Sequence, residues 1–104
     1  MRVIQVSVSI DSEEKARMIA NAVIEQKLGA CVQVLGPISS TYFWENKVQT
    51  DQEWLCVIKT TQECYTPLES LIVEMHHYEI PEIIVTPVVN GHGPYLDWVS
   101  DSVG

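Results

Sequence analysis

Hydrophobic and polar positions alternate at the start of the chain: Val3, Ile4, Val6, Val8 and Ile10 are interleaved with Gln5, Ser7 and Ser9. A period of two predicts a strand over 3–10 with one face buried. The period then lengthens. Ala16, Ile19, Ala20, Val23, Ile24 and Leu28 recur at helical spacing and make one apolar stripe. Asp11, with Glu14 three residues on, is expected to cap this helix. Gly29 is expected to stop it with a positive φ.

Two long β-runs follow, Ala30–Trp44 and Lys47–Thr61, joined by a tight turn at Glu45-Asn46. Gly36-Pro37 interrupts the first run. Proline has no amide to give to a ladder, so this point predicts a bulge or bend at an edge. The half before it (Ala30, Val32, Val34, Leu35) is apolar and expected to be central to the core. The first run would span ~50 Å at ~3.3 Å per residue, against a diameter of about 33 Å for a compact chain of this size. The hairpin is therefore too long for its own domain. Its tip carries Tyr42, Phe43 and Trp44, with Trp54 on the return run. Such an aromatic group left in water would be an unusual exposed patch, and a second copy of the chain is the expected cover.

A second helix is predicted to open at Thr66-Pro67-Leu68-Glu69, which reads as a capping box with proline at the first helical position. Leu68, Leu71, Ile72 and Met75 form its stripe and His76-His77 close it. Pro81 resets the chain into the β-rich run 82–89, Asn90-Gly91 turns, and Tyr95, Leu96, Trp98 and Val99 mark a short last helix. The order β-α-β-β-α-β plus a helix gives an α+β, ferredoxin-like sandwich: a four-stranded antiparallel sheet with two helices on one face. The 104 residues suit one domain, 1–104.

Charge narrows the function. Six Lys+Arg against fourteen Asp+Glu give a formal charge of −8, which disfavours nucleic acid and anionic membranes as partners. No run approaches the ~18 apolar residues of a membrane span, and the alternating N-terminus reads as a strand and not as a signal peptide. Cys31, Cys56 and Cys64 are odd in number and widely spaced, so they form no disulfide framework and suggest a reducing cytoplasm. No nucleophile elbow, P-loop or dinucleotide motif is present, and the chain does not read as an enzyme.

The densest polar cluster is His76, His77, Glu79 and Glu82. Two imidazoles and two carboxylates offer donors to Cu²⁺, Zn²⁺ or another divalent cation, although adjacent histidines on a helix point about 100° apart. A helix C-cap is the competing reading. Tyr42, Trp44 and Trp54 could instead stack a planar ligand, with core or interface packing as the alternative.

The runs Leu28-Gly29-Ala30-Cys31-Val32 and Pro37–Val48, then Asp51-Gln52-Glu53 and Ile58-Lys59-Thr60, resemble the CutA family of divalent-cation tolerance proteins. His76-His77-Tyr78-Glu79-Ile80-Pro81-Glu82-Ile83-Ile84 resembles that family's His-Pro-Tyr-Glu-x-Pro-Glu-Ile signature, and Tyr95-Leu96-x-Trp98 its C-terminal one. The resemblance implies a P-II-like homotrimer in which neighbouring hairpins extend each other's sheets, with Tyr42, Phe43, Trp44 and Trp54 at the interface. It implies a non-enzymatic role in copper tolerance, with copper binding but no required cofactor. His76 matches the family histidine and His77 stands where the family has proline. The thiol found late in the first strand of relatives is replaced by Val8 or Ser9. A rival reading is a P-II-like small-ligand sensor or scaffold whose cleft between subunits is lined by Tyr42, Trp44, Lys59, Tyr78, Glu79 and Tyr95.

Overall fold

The computed structural model describes residues 2–104. Strand β1 (Val3–Ile10) leads into helix α1 (Glu13–Glu25), then into the hairpin of β2 (Cys31–Trp44) and β3 (Lys47–Thr61). A 3₁₀ turn over Gln62–Cys64 enters helix α2 (Tyr65–Met75), and β4 (Ile83–Pro87) and helix α3 (Gly93–Ser102) complete the order. The sheet runs β2-β3-β1-β4 with every neighbouring pair antiparallel. This is the expected ferredoxin-like arrangement.

β1 is central and carries the core. Its even positions Ile4, Val6, Val8 and Ile10 are fully buried with Ala16, Ile19 and Val23 of α1, Leu68 and Ile72 of α2, and Cys56 and Ile58 of β3. The alternation in the sequence is thus the phase of one sheet face against two helices. α3 packs against β3 and β1 and shares a small cavity with Val3. It therefore lies on the face to which the odd positions of β1 point. β2 is an edge strand and only half-buried. The expected central position of Val32, Val34 and Leu35 is corrected accordingly: Val32 and Val34 pack on the rim of the core, and Leu35 faces away at 49% exposure.

Both ends of α1 differ from expectation. Ser12 is the cap, its hydroxyl accepting the Lys15 amide at 3.2 Å. The Asp11 carboxylate instead meets His77. At the other end Lys27 takes the positive φ of 56°. The Lys27 and Leu28 amides donate back to the Ile24 and Val23 carbonyls at 3.0 Å each, a Schellman closure. Gly29 serves close approach instead. A Cβ there would lie 2.7 Å from Val23 Cγ1 and 2.8 Å from Ile58 Cγ2. α2 begins a residue before Thr66, directly from the 3₁₀ turn, and no side chain caps it. Pro67 sits in its first turn, where an amide would have no helical partner.

The hairpin turn has φ of 50° at Glu45 and 63° at Asn46, the two positive values of a two-residue type I′ turn, which suits strand twist. The bulge falls where proline placed it. Leu35 pairs with Leu55 but Ile38 pairs with Glu53, so β2 advances three residues while β3 advances two. Trp54 lies flat over Gly36, whose added Cβ would stand 2.4 Å from the indole Cδ1. Trp54 also packs on the core cluster, so it sits at the bend and not at the tip.

Gly36→Ala should therefore lower unfolding stability by about 1–3 kcal/mol, since overpacking must displace the Trp54 ring. Urea unfolding at fixed protein concentration measures this, and an unchanged midpoint would show that Trp54 does not rest on Gly36.

Candidate functional site

The extra residue in β2 inverts its side-chain phase. Before the bulge the odd positions Cys31, Gln33 and Leu35 share a face with Lys59, Val57 and Leu55; after it the even positions Ile38, Ser40 and Tyr42 share that face with Glu53, Asp51 and Gln49. Tyr42 and Trp44 are thereby turned to the sheet face away from α1 and α2. The segment from His76 to Glu82 crosses the end of β1 toward the same face. Between the hairpin and this segment lies a cavity of about 560 Å³, lined by Tyr42, Trp44, Glu53, Tyr78, Glu79 and Glu82, with Ser9, Ser40, Thr41 and Ile80 completing it.

Each aromatic ring of the cavity is held by a carboxylate. The Tyr78 hydroxyl donates to Glu53 Oε2 at 2.7 Å, the Trp44 indole N–H donates to Glu45 Oε1 at 2.9 Å, and the Tyr42 hydroxyl donates to Asp51. Burial, then the hydrogen bond to Glu53, raises the Tyr78 phenol well above its ordinary value. The bond to Asp51 raises Tyr42 in the same direction. Glu53 is only 7% exposed. Glu53 lines the cavity, and no buried side-chain oxygen or nitrogen among the described residues lacks a partner. Glu82 Oε1 accepts the Ser9 hydroxyl at 3.2 Å.

His76 is a structural tie. It is 8% exposed, and its Nδ1 accepts the Tyr78 amide at 3.1 Å. That leaves the proton on Nε2, which donates to the Ser9 carbonyl at 2.7 Å. The ring thus pins the 76–82 segment to the end of β1. His77 lies outside, with Nε2 3.0 Å from Asp11 Oδ1 and Nδ1 facing the Lys15 ammonium at 3.4 Å. Four ring nitrogens therefore have four partners within the chain. Glu79 and Glu82 face the cavity while the imidazoles face α1 and β1. Among the described residues no three His, Cys, Asp or Glu side chains come together as a ligand set. The expected group of His76, His77, Glu79 and Glu82 does not gather within one chain among the described residues.

Of the residues expected to line a cleft between subunits, Tyr42, Trp44, Tyr78 and Glu79 come together within one chain, while Lys59 and Tyr95 of the same chain lie apart from them. Lys59 is six positions from Glu53 on β3, roughly 20 Å away at ~3.3 Å per residue, and its ammonium donates to Gln33. Tyr95 stacks on Trp98 within α3, ring centroids 5.6 Å apart. Ser9 carries no motif that marks it as a site residue, and Glu53 reads in the sequence only as one of a carboxylate cluster with Glu45 and Asp51 near the turn; the phase change at the bulge brings the aromatic rings over both. Phe43 and Val48 pair on the opposite side of the hairpin, 66% and 74% exposed.

Residues 4–102 match the family of the CutA1 divalent ion tolerance protein. The chain belongs to that family. It is similar to the divalent-cation tolerance protein CutA of Thermus thermophilus, 38% identical over 99 residues that make up 95% of this chain and 96% of that protein. It is also similar to the chloroplastic protein CutA of Arabidopsis thaliana, 39% identical over 95% of this chain and 54% of that protein. The chain thus spans about half the length of its plant relative. Among solved structures it is similar to CutA1 from Oryza sativa, with a TM-score of 0.97, 36% identity and coverage of 100% of this chain and 95% of that one. The CutA1 fold therefore extends over the whole chain, hairpin overhang included.

A pH dependence follows from the raised groups. A folded state that holds its phenol proton more tightly than the unfolded chain loses stability as pH rises past the unfolded value, about 10 for tyrosine. Cys56, pushed up to about 11 by burial, acts in the same direction from about 9 upward. Unfolding midpoints should fall between pH ~9 and ~11, and Tyr78→Phe should flatten the part of that fall above pH ~10. An identical slope in the variant would show that Tyr78 is not held protonated by its surroundings.

Proposed function

We propose that this chain is a non-catalytic divalent-cation tolerance protein that works as a cytoplasmic homotrimer. Membership of the CutA1 family over residues 4–102 carries the tolerance reading, together with the name of the Thermus relative, which matches nearly end to end. Three free thiols, Cys31, Cys56 and Cys64, support a reducing compartment; the Arabidopsis relative's name places that protein in the chloroplast. No helix among the described residues is long and apolar enough to cross a membrane.

The hairpin supports the trimer. The long axis is 45 Å against 25 and 21 Å for the other two, because the overhang runs on past the helices. Its β2 edge has no neighbour, and Phe43, Val48, Tyr42 and Trp44 leave apolar surface on it. An unpaired edge beside apolar side chains is a template for strand addition. Copper, in this reading, is met by the assembly or at its surface, since no ligand set forms within the described residues of one chain. A second reading, a small-ligand sensor of P-II type, is favoured by the aromatic and acidic cavity.

Expression in cells lacking their own CutA protein should restore growth in elevated Cu²⁺, and failure to restore it would overturn the tolerance reading. Phe43→Asp should convert the trimer to monomers or aggregates in sedimentation velocity; an intact trimer would remove the hairpin tip from the interface.

A further inference from the structure

The turn at Asn90-Gly91 lies between β4, which ends at Pro87, and α3, which begins at Gly93. There the Asn90 side chain is folded onto the next residue's main chain, and the Gly91 amide donates to Asn90 Oδ1 at 2.9 Å. We infer that Asn90 is a site of self-modification, at which the chain converts its own carboxamide into a carboxylate. The inference is independent of the tolerance role and of any cavity.

The main-chain nitrogen of Gly91 is the nucleophile, Asn90 Cγ the centre attacked and Nδ2 the leaving group. The bond from Gly91 N to Asn90 Cγ forms, the Cγ–Nδ2 bond breaks, and the Gly91 amide proton departs with Nδ2 as ammonia. A five-membered cyclic imide remains, and water opens it. Water adding at Cγ, with its proton returned to the ring nitrogen, gives aspartate. Water adding at the main-chain carbonyl gives isoaspartate, whose chain runs through Cβ and Cγ. Nothing is oxidised or reduced, and water is the sole co-reactant.

Three observations set Asn90 apart from the other asparagines, Asn21 and Asn46. The first is proximity. With Oδ1 at 2.9 Å from the Gly91 nitrogen and Cγ one bond behind it, ring closure starts from a near-attack arrangement. The second is the freedom of the nucleophile. Among the described residues no main-chain carbonyl takes the Gly91 amide, and glycine has no side chain to stiffen or cover it. Asn21 lies inside α1, where the following amide is bound to the preceding turn. Asn46 is followed by Lys47, which carries a side chain and pairs with Trp44. The third is position. β4 ends opposite Ile4, whereas the hairpin overhang leaves the sheet beyond Trp54, opposite Ile10. Six residues of β1 separate the two ends, roughly 20 Å at ~3.3 Å each. Every reacting atom belongs to two consecutive residues, so the step needs nothing from a neighbouring subunit.

The product acts on α3. Its new negative charge stands two residues ahead of His92, the N-cap, whose side chain makes no cap bond and whose helix has no acidic residue in its first turn. A carboxylate near a helix N-terminus is favourable, so the aspartate form holds the start of α3 more firmly. The isoaspartate form lengthens the link from β4 by one methylene.

The full chain in its native assembled state, kept at mildly alkaline pH and sampled by peptide mapping with mass spectrometry, reads all three asparagines at once. Asn90 should convert at least about tenfold faster than Asn21 or Asn46, should speed up as pH rises, and should yield both acid products. The native rate should match or exceed that of the urea-unfolded chain. Gly91→Ala places a Cβ over the amide, 3.3 Å from Leu96 Cδ2, and should slow conversion by about tenfold. Asn90→Gln, which has to close a larger ring, should abolish ammonia release from this position, with circular dichroism confirming the fold of both variants. Conversion of Asn90 no faster than of Asn21, or an unchanged rate in a folded Gly91→Ala, would overturn the assignment. So would a native rate well below the unfolded one, since the fold or a subunit packed on the turn would then hold the carboxamide away from the amide.

Discussion

One surplus residue in β2, opposite Trp54, sets the arrangement of everything beyond the core. In an antiparallel pair every side chain keeps its face unless the register slips, and here β2 slips by one at Gly36-Pro37. Without the bulge Tyr42 and Trp44 would point to the side of the sheet that carries the helices, where the overhang has nothing beneath it. With the bulge they point to the side reached by the 76–82 segment. Gly36 permits this by letting the Trp54 indole lie against the backbone. The same indole belongs to the packing of the main core, so the bend is clamped from inside the domain.

The 76–82 segment is the second half of that construction. A helix end, a strand end and a cavity wall meet there through one imidazole, whose two nitrogens bridge the Ser9 carbonyl and the Tyr78 amide. Both nitrogens of His76, the residue that looked most like a ligand, are engaged in architecture within the chain. His77, Asp11 and Lys15 repeat the pattern at the surface, joining the end of α2 to the start of α1. The chemistry left open by these ties is carboxylate and aromatic.

Much of the fold was legible because it depends on periodicity and on residues with a restricted backbone. β1, the stripes of α1 and α2, the two-residue turn at Glu45-Asn46 and the bulge at Gly36-Pro37 are all of that kind. Competition between side chains was not legible. Asp11 is a good cap on paper, but the helix starts one residue later, with Ser12 taking the Lys15 amide while Asp11 meets His77. Gly29 looked like a helix stop, but Lys27 takes the left-handed turn and Gly29 answers to Val23 and Ile58. Apolar composition placed the first half of β2 in the core's centre, although strand order puts it at the rim. Four of the six residues expected to line a cleft between subunits lie together in one chain; Lys59 and Tyr95 stand apart from them within that chain, at a distance along the sheet that a residue list does not carry.

The strand order also bears on how the chain is made. β1 pairs with Trp54–Thr61 on one side and with Ile83–Pro87 on the other, so it is synthesised well before either of its neighbours. At roughly 5–20 residues per second, several seconds separate its emergence from the arrival of either partner. During that interval Val3, Ile4, Val6, Val8 and Ile10 form an apolar ribbon with both hydrogen-bonding edges open. α1, which follows directly and buries its stripe against that ribbon, is the natural shield for a nascent strand whose sheet has not yet been translated.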